Sequence, residues 1–263
     1  MAEAEDSVAR FKVGVQFEPQ HCSVGELREG WRRAEDLGVD SVWTWDHFFP
    51  LSGDPDGRHF EGWSLLAAMA CDTARARIGV LVSCNSYRSP DLVADMARTI
   101  DHLSGGRVIL GYGAGWSERD YAEYGFEFGT VASRAAALEP GVRRIKARLA
   151  RLNPPPVGPL PLMIGGEGER VTLRVAAEHA DMWTGFGPAA TYARKSRVLD
   201  QWCDKIGRDR SAIERSVLLD GPAECEHVDE FEAAGAQEII VPAQAPFDLD
   251  DVKAVLHTAR RTS

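Results

Sequence analysis

Short apolar runs alternate with longer stretches of helical period along almost the whole chain. Phe11 to Phe17 (FKVGVQF) is a β-branched and aromatic run that predicts a strand. Glu26 to Leu37 then sets Leu27, Trp31, Ala34 and Leu37 at helical spacing, and Gly38 stops the helix. Ser41 to Thr44 predicts a second strand, followed by the turn residues SGDPDG at Ser52 to Gly57 and an apolar helix from Gly62 to about Thr73. Arg77 to Asn85 (RIGVLVSCN) predicts a third strand, its near-continuous apolar run suiting a parallel strand buried on both faces. Pro90 opens a helix to Leu103, with Ser89 as its N-cap, and Val108 to Gly113 predicts a fourth strand. Arg134 to Leu152 has a helical pattern that Pro140 and Gly141 are expected to kink or split. The second half predicts strands at Pro161 to Ile164, Met182 to Thr184, Ile213 to Leu219 and Glu238 to Val241. Helices are expected at Glu169 to His179, Tyr192 to Ile206, Val228 to Ala234 and Asp250 to Arg260.

Alternation of this kind implies parallel strands joined by right-handed crossovers. Eight such units in 263 residues, with no point at which the order reverses, favour a closed TIM-type (β/α) barrel over an open doubly wound sheet. The segments AEDLGVDSVW, AAEHADMWTG and EAAGAQEIIV echo one another as helix end, turn and next strand. PPPVGPLP at Pro154 to Pro161 reads as a stiff surface connection rather than a boundary. The expectation is one domain over residues 11–263 behind a loosely attached tail of residues 1–10.

Charge and composition narrow the function. Thirty basic against forty acidic residues give a formal charge of −10, which repels a phosphate backbone, so no nucleic-acid partner is expected. The first residues are acidic where a signal peptide needs positive charge, and no run of 18 apolar residues occurs. A cytoplasmic location with no membrane partner is therefore expected. The five cysteines are scattered without a C-x-x-C pair, and His47 and His59 are too far apart for a helical ligand pair, so neither disulfides nor a metal is expected.

In a barrel of this type the chemistry gathers at the C-terminal ends of the strands. Asp46 and His47 follow the second strand, either as a capping carboxylate and a structural imidazole or as a pair able to exchange protons with a substrate. Ser83, Cys84 and Asn85 end the third strand, where they line a ring edge or simply lead into the next helix. Gly111 to Trp116 (GYGAGW) follows the fourth strand. It lacks the third glycine of a dinucleotide fingerprint and reads as a tight turn or as backbone approaching a flat ligand, with Trp116 as a wall. Gly165-Gly166-Glu167-Gly168-Glu169 joins the fifth strand to a helix. Free N–H groups there suit a phosphate, although Glu169 serves equally well as a first-turn carboxylate, and the missing Walker lysine disfavours ATP.

Together WTWDHF at Trp43 to Phe48, YRSP at Tyr87 to Pro90, TIDHLSGGRVILGYGAGW at Thr99 to Trp116 and IGGEGE at Ile164 to Glu169 resemble the luciferase-like monooxygenase superfamily. The likeness is to its deazaflavin (coenzyme F420)-dependent oxidoreductase branch. The resemblance implies a bacterial luciferase-like barrel with coenzyme F420 across the strand ends and its phosphate at Gly165, Gly166, Gly168 and Glu169. It further implies that Asp46 contacts the ring, that Val82, Ser83, Cys84 and Asn85 back it through a bulge that often holds a non-prolyl cis peptide, and that Ala114 and Gly115 approach it by backbone. His47 becomes the acid/base and Trp116 part of the pocket for a small-molecule substrate. A homodimer is usual in the family. Reduced FMN with oxygen is the alternative cofactor chemistry, and a degenerate cofactor-binding protein without turnover is a third reading.

Two departures qualify the likeness. Trp116 stands where the family's sugar-phosphate dehydrogenases carry a glutamate, and no basic cluster is evident, which disfavours a phosphorylated sugar. Leu152 to Leu160 and the region after Asp220 are shorter than in relatives, leaving a wetter site.

Overall fold

The computed structural model describes residues 9–261; of the expected tail, residues 1–8 lie outside the described residues. The chain starts with β1 (Lys12–Phe17), α1 (Val24–Leu37), β2 (Ser41–Thr44) and α2 (Gly62–Asp72). Ser23 and Glu26 form a capping box at the start of α1, satisfying two otherwise free N–H groups, and Gly38 closes it in the left-handed conformation.

The third stave is not the continuous strand that its apolar run suggests. It breaks into β3 (Arg77–Val80) and β4 (Ser83–Cys84), with a cis peptide between Leu81 and Val82. The break is held by its neighbours: Leu81 N–H donates to the Thr44 carbonyl at 2.7 Å, and the Gln16 side chain donates to the Leu81 carbonyl at 3.0 Å. Next come α3 (Pro90–Ser104), β5 (Val108–Gly113), a short α4 (Glu118–Tyr124) that has no counterpart in the sequence expectation, and α5 (Val131–Leu149). Ser89 occupies the N-cap position of α3, but its hydroxyl makes no capping bond. Pro140 and Gly141 do not split α5, which runs through them as one helix. Gly141 is needed there because a Cβ would strike Asn85 Oδ1 and lie 2.9 Å from the Tyr112 hydroxyl, so the helix sits directly behind the broken stave.

The remaining units are β6 (Leu162–Gly165), α6 (Thr172–His179), β7 (Met182–Gly185), α7 (Ala189–Ile206), β8 (Glu214–Leu218), α8 (Val228–Ala233), β9 (Glu238–Ala243) and α9 (Asp250–Ala259). Every strand pairing is parallel. The ring closes through β1 and β9, with Val13 opposite Ile239, and through β3 and β5, with Ile78 opposite Val108. β4 continues the third stave along β5, Ser83 opposite Tyr112. With β3 and β4 as one stave the architecture is a closed eight-stranded parallel barrel.

The pleat sends alternate side chains to two cores. Trp43, Leu81, Ile109, Met163, Met182 and Ile240 fill the barrel interior, while a larger layer that includes Val13, Val15, Val42, Ile78, Ile164 and Ile239 packs under the helices. Among the described residues no helix is long and apolar enough to cross a membrane.

Candidate functional site

A cavity of about 530 Å³ opens at the C-terminal end of the barrel. Its floor is Val82, delivered there by the broken third stave. A Cβ on Gly113 would lie 2.6 Å from Val82, and one on Gly165 would lie 2.7 Å from it. Glycines at the ends of β5 and β6 therefore let Val82 reach across the bottom of the pocket.

His47 and Asp46 leave the end of β2 and both border the cavity. His47 Nδ1 lies 2.6 Å from the carboxylate of Asp120 on α4. The same Asp120 oxygen accepts from the Tyr87 hydroxyl at 3.0 Å, and the other accepts from Phe48 N–H at 3.0 Å. Burial pushes the Asp120 carboxyl up, but the hydrogen bond and charge of His47, with the Phe48 N–H, outweigh it and hold the group below its ordinary range. With Nδ1 held against Asp120, Nε2 is the imidazole nitrogen left for a ligand. The ring is further held edge-on by Trp45 and Trp116, with centroids 5.6 and 5.2 Å away.

Asp46 is buried and plays a different part. Its carboxylate accepts from Arg88 at 2.8 Å and from Cys84 N–H at 3.0 Å, so it anchors β4. Burial pushes it up to about 6 against the opposing pull of Arg88. Arg88 also pairs with Glu61, which caps α2. Trp45, a cavity wall, donates its indole N–H to His59 Nε2 at 2.9 Å, with the two ring planes only 7° apart.

Ala114, Gly115, Trp116, Cys84, Gly165 and Gly166 also border the cavity, and Trp116 is 63% exposed at its rim. Ser83, Asn85, Gly168 and Glu169 do not border it. Ser83 is buried and accepts from the Trp63 indole at 2.6 Å; Asn85 accepts from the Tyr112 hydroxyl at 2.7 Å behind the stave. Gly168 and Glu169 belong to a loop, because α6 starts at Thr172 rather than at Glu169. Among the described residues, none of the backbone N–H groups from 167 to 171 donates to another protein group. The acids of that loop are engaged elsewhere: Glu169 pairs with Arg194 and Lys195, and Glu167 accepts from Phe186 N–H. The loop thus presents free donors, with the charge of Glu169 neutralised by Arg194 and Lys195 of α7.

Sequence reasoning did not single out Asp120, Gln16, Glu18 or Phe186. Glu18 follows β1, is 8% exposed and, among the described residues, accepts only from the side-chain amides of Gln20 and Gln244. A Glu139, Glu178 and His179 group lies elsewhere, on α5 and α6, its carboxylates already paired with Arg143 and Arg174.

Residues 7–220 match the family model of luciferase-like monooxygenase. In sequence the chain is similar to an F420-dependent glucose-6-phosphate dehydrogenase of Amycolatopsis mediterranei, 36% identical over 138 residues, 51% of this chain and 40% of that protein. It is also similar to a 5,10-methylenetetrahydromethanopterin reductase of Archaeoglobus fulgidus, 28% identical over 220 residues, 77% of this chain and 61% of that protein. The matches therefore span less than two thirds of these relatives' length. In structure the barrel superposes on an F420-dependent secondary alcohol dehydrogenase in complex with an F420-acetone adduct. That likeness has a TM-score of 0.83 at 17% identity and covers 95% of this chain and 99% of that one.

Proposed function

The chain belongs to the luciferase-like monooxygenase family, and from that premise we propose that it is an oxidoreductase that exchanges hydride between coenzyme F420 and a small organic substrate. The observation that carries this reading is the His47–Asp120 pair at the wall of a cavity of about 530 Å³ at the strand ends. Two curated relatives bear the names of an F420-dependent dehydrogenase and a methylenetetrahydromethanopterin reductase, which supports the choice of cofactor.

The residues present fit such a group. Val82, Leu81 and Leu218 offer an apolar surface, and Ala114 with Gly115 borders it by a loop of small residues. The free N–H groups from 167 to 171, with Lys195 and Arg194 behind them, suit the phosphate of its side chain. When bound, the deazaflavin supplies the two-electron chemistry by accepting or giving a hydride.

The protein's task is then positional and protonic. His47 holds or gives up one proton at Nε2, and Asp120 stabilises the imidazolium that forms when Nε2 takes it. Trp45, set by His59, and Trp116 exclude water from one side of the imidazole. Asp46 keeps β4, and with it Cys84, in register under the cavity. No lysine or arginine borders the cavity among the described residues, so a phosphorylated sugar finds no counter-charge.

Replacing His47 with Ala tests the reading. The variant is expected to bind F420 as the parent does while losing roughly 100-fold or more of hydride exchange with an accepted substrate. Equal exchange by the variant would remove His47 from the chemistry. Absence of exchange by the parent across alcohol, aldehyde, amine, imine and enone donors and acceptors would leave cofactor binding without turnover.

A further inference from the structure

Glu18 is the feature of the cavity that proton transfer through His47 leaves unused. It borders the pocket from the end of β1, beside the end of β2 that supplies His47. It is more than nine-tenths buried, yet its hydrogen-bond partners are two neutral amides, Gln20 at 2.8 Å and Gln244 at 3.3 Å. Among the described residues no cationic side chain lies within ion-pair distance of it. The other buried carboxylate of the pocket, Asp46, already has Arg88. Burial pushes the Glu18 carboxyl above its ordinary range, as expected of an acid with no counter-charge.

The surroundings point to what supplies that charge. The mouth carries three aromatic walls, Trp45, Trp116 and Phe186, with Leu51 and Leu219. The second uncompensated acid, Asp220, lies exposed among the bordering residues. Aromatic faces and carboxylates together favour an apolar cation and reject an anion.

Resting on the hydride-transfer reading above, we propose that the substrate is an apolar amine, or the imine it forms, held as a cation against Glu18. In the oxidising direction the ammonium first gives one proton to His47 Nε2. The C–H bond at the nitrogen-bearing carbon then breaks, its hydrogen leaves with both electrons to the oxidised deazaflavin, and the nitrogen lone pair forms C=N. The substrate loses one proton and one hydride and ends as an iminium; the deazaflavin is reduced by two electrons. Positive charge grows on nitrogen as the hydride leaves, so a fixed carboxylate beside it stabilises the transition state more than the neutral amine.

The test compares benzylamine, benzyl alcohol and benzoate, matched in size and differing in charge, by quenching of intrinsic tryptophan fluorescence in the protein alone. Benzylamine is expected to bind roughly tenfold or more tightly than benzyl alcohol, with benzoate weakest. Glu18→Gln should erase the preference for the amine and leave benzyl alcohol unchanged, whereas Asp220→Asn should keep most of it, which separates Glu18 from the general negative charge. Should Glu18→Gln not fold, Glu18→Asp retains the charge and is expected to retain the preference. Equal or tighter binding of the alcohol or of benzoate, no binding of benzylamine, or a preference surviving in Glu18→Gln overturns the proposal. F420 binding is followed separately by its visible absorbance. Amine preference without F420 binding sinks the cofactor reading alone, and F420 binding without amine preference sinks this inference alone.

Discussion

His47 Nδ1 and the carboxylate of Asp120 meet at 2.6 Å across 73 residues of chain. His47 stands on the loop after β2, while Asp120 stands on α4, the short helix that follows the GYGAGW stretch. The pair joins two neighbouring quarters of the barrel mouth and sets which imidazole nitrogen is free.

Asp120→Asn is therefore expected to act on turnover rather than on binding. An amide accepts from Nδ1–H but cannot stabilise the imidazolium, so kcat should fall roughly 100-fold. Cofactor affinity should stay within about threefold of the parent, because binding surfaces are untouched. Steady-state kinetics with a separate cofactor titration checks the split; a loss confined to affinity would show that Asp120 only props the loop.

The floor of the cavity gives a second expectation. Gly165→Ala puts a methyl group 2.7 Å from Val82 and should cost about 1–3 kcal/mol of stability, with weaker cofactor binding. Adding Val82→Ala removes the clash and should recover most of the stability. Urea denaturation of the single and double variants reads both effects, and additive losses would show that the two side chains do not compete for one space.

Much of this was legible in the chain. The period of its apolar positions marked each of the eight staves, and the dipeptide Asp46-His47 stood out because it follows a strand. Three features were not legible in the residue pattern itself, each for a physical reason. The apolar run from Arg77 to Asn85 hides its break at Leu81 and Val82, because hydrophobicity records burial and not chain direction; the family resemblance, not the run, implied the bulge and its non-prolyl cis peptide. Seven residues of α4 are too few to show a helical period, so Asp120 had no pattern to mark it. The start of α6 was set three residues early because Glu169 resembles a first-turn carboxylate, while in the structure it turns to Arg194 and Lys195.

Acid should loosen the Trp45 wall. Burial lowers His59 to about 4, so the folded protein binds its proton later than the unfolded chain does. Its contribution to stability is complete above the ordinary histidine pKa of about 6.5 and is lost as pH falls from there through about 4. Protonated Nε2 also ceases to accept from the Trp45 indole. His59→Gln keeps an acceptor without a titrating group. Chemical denaturation between pH 7 and pH 4 should therefore show a shallower loss in the variant than in the parent, and identical slopes would assign the loss to other groups.

The most direct test of the central claim is a side-by-side titration of the purified protein with coenzyme F420 and with FMN under anaerobic conditions, read by visible absorbance. The account predicts saturable binding of F420, at least roughly tenfold tighter than that of FMN, with a spectral change that His47→Ala preserves. Tight binding of FMN with none of F420 would contradict it.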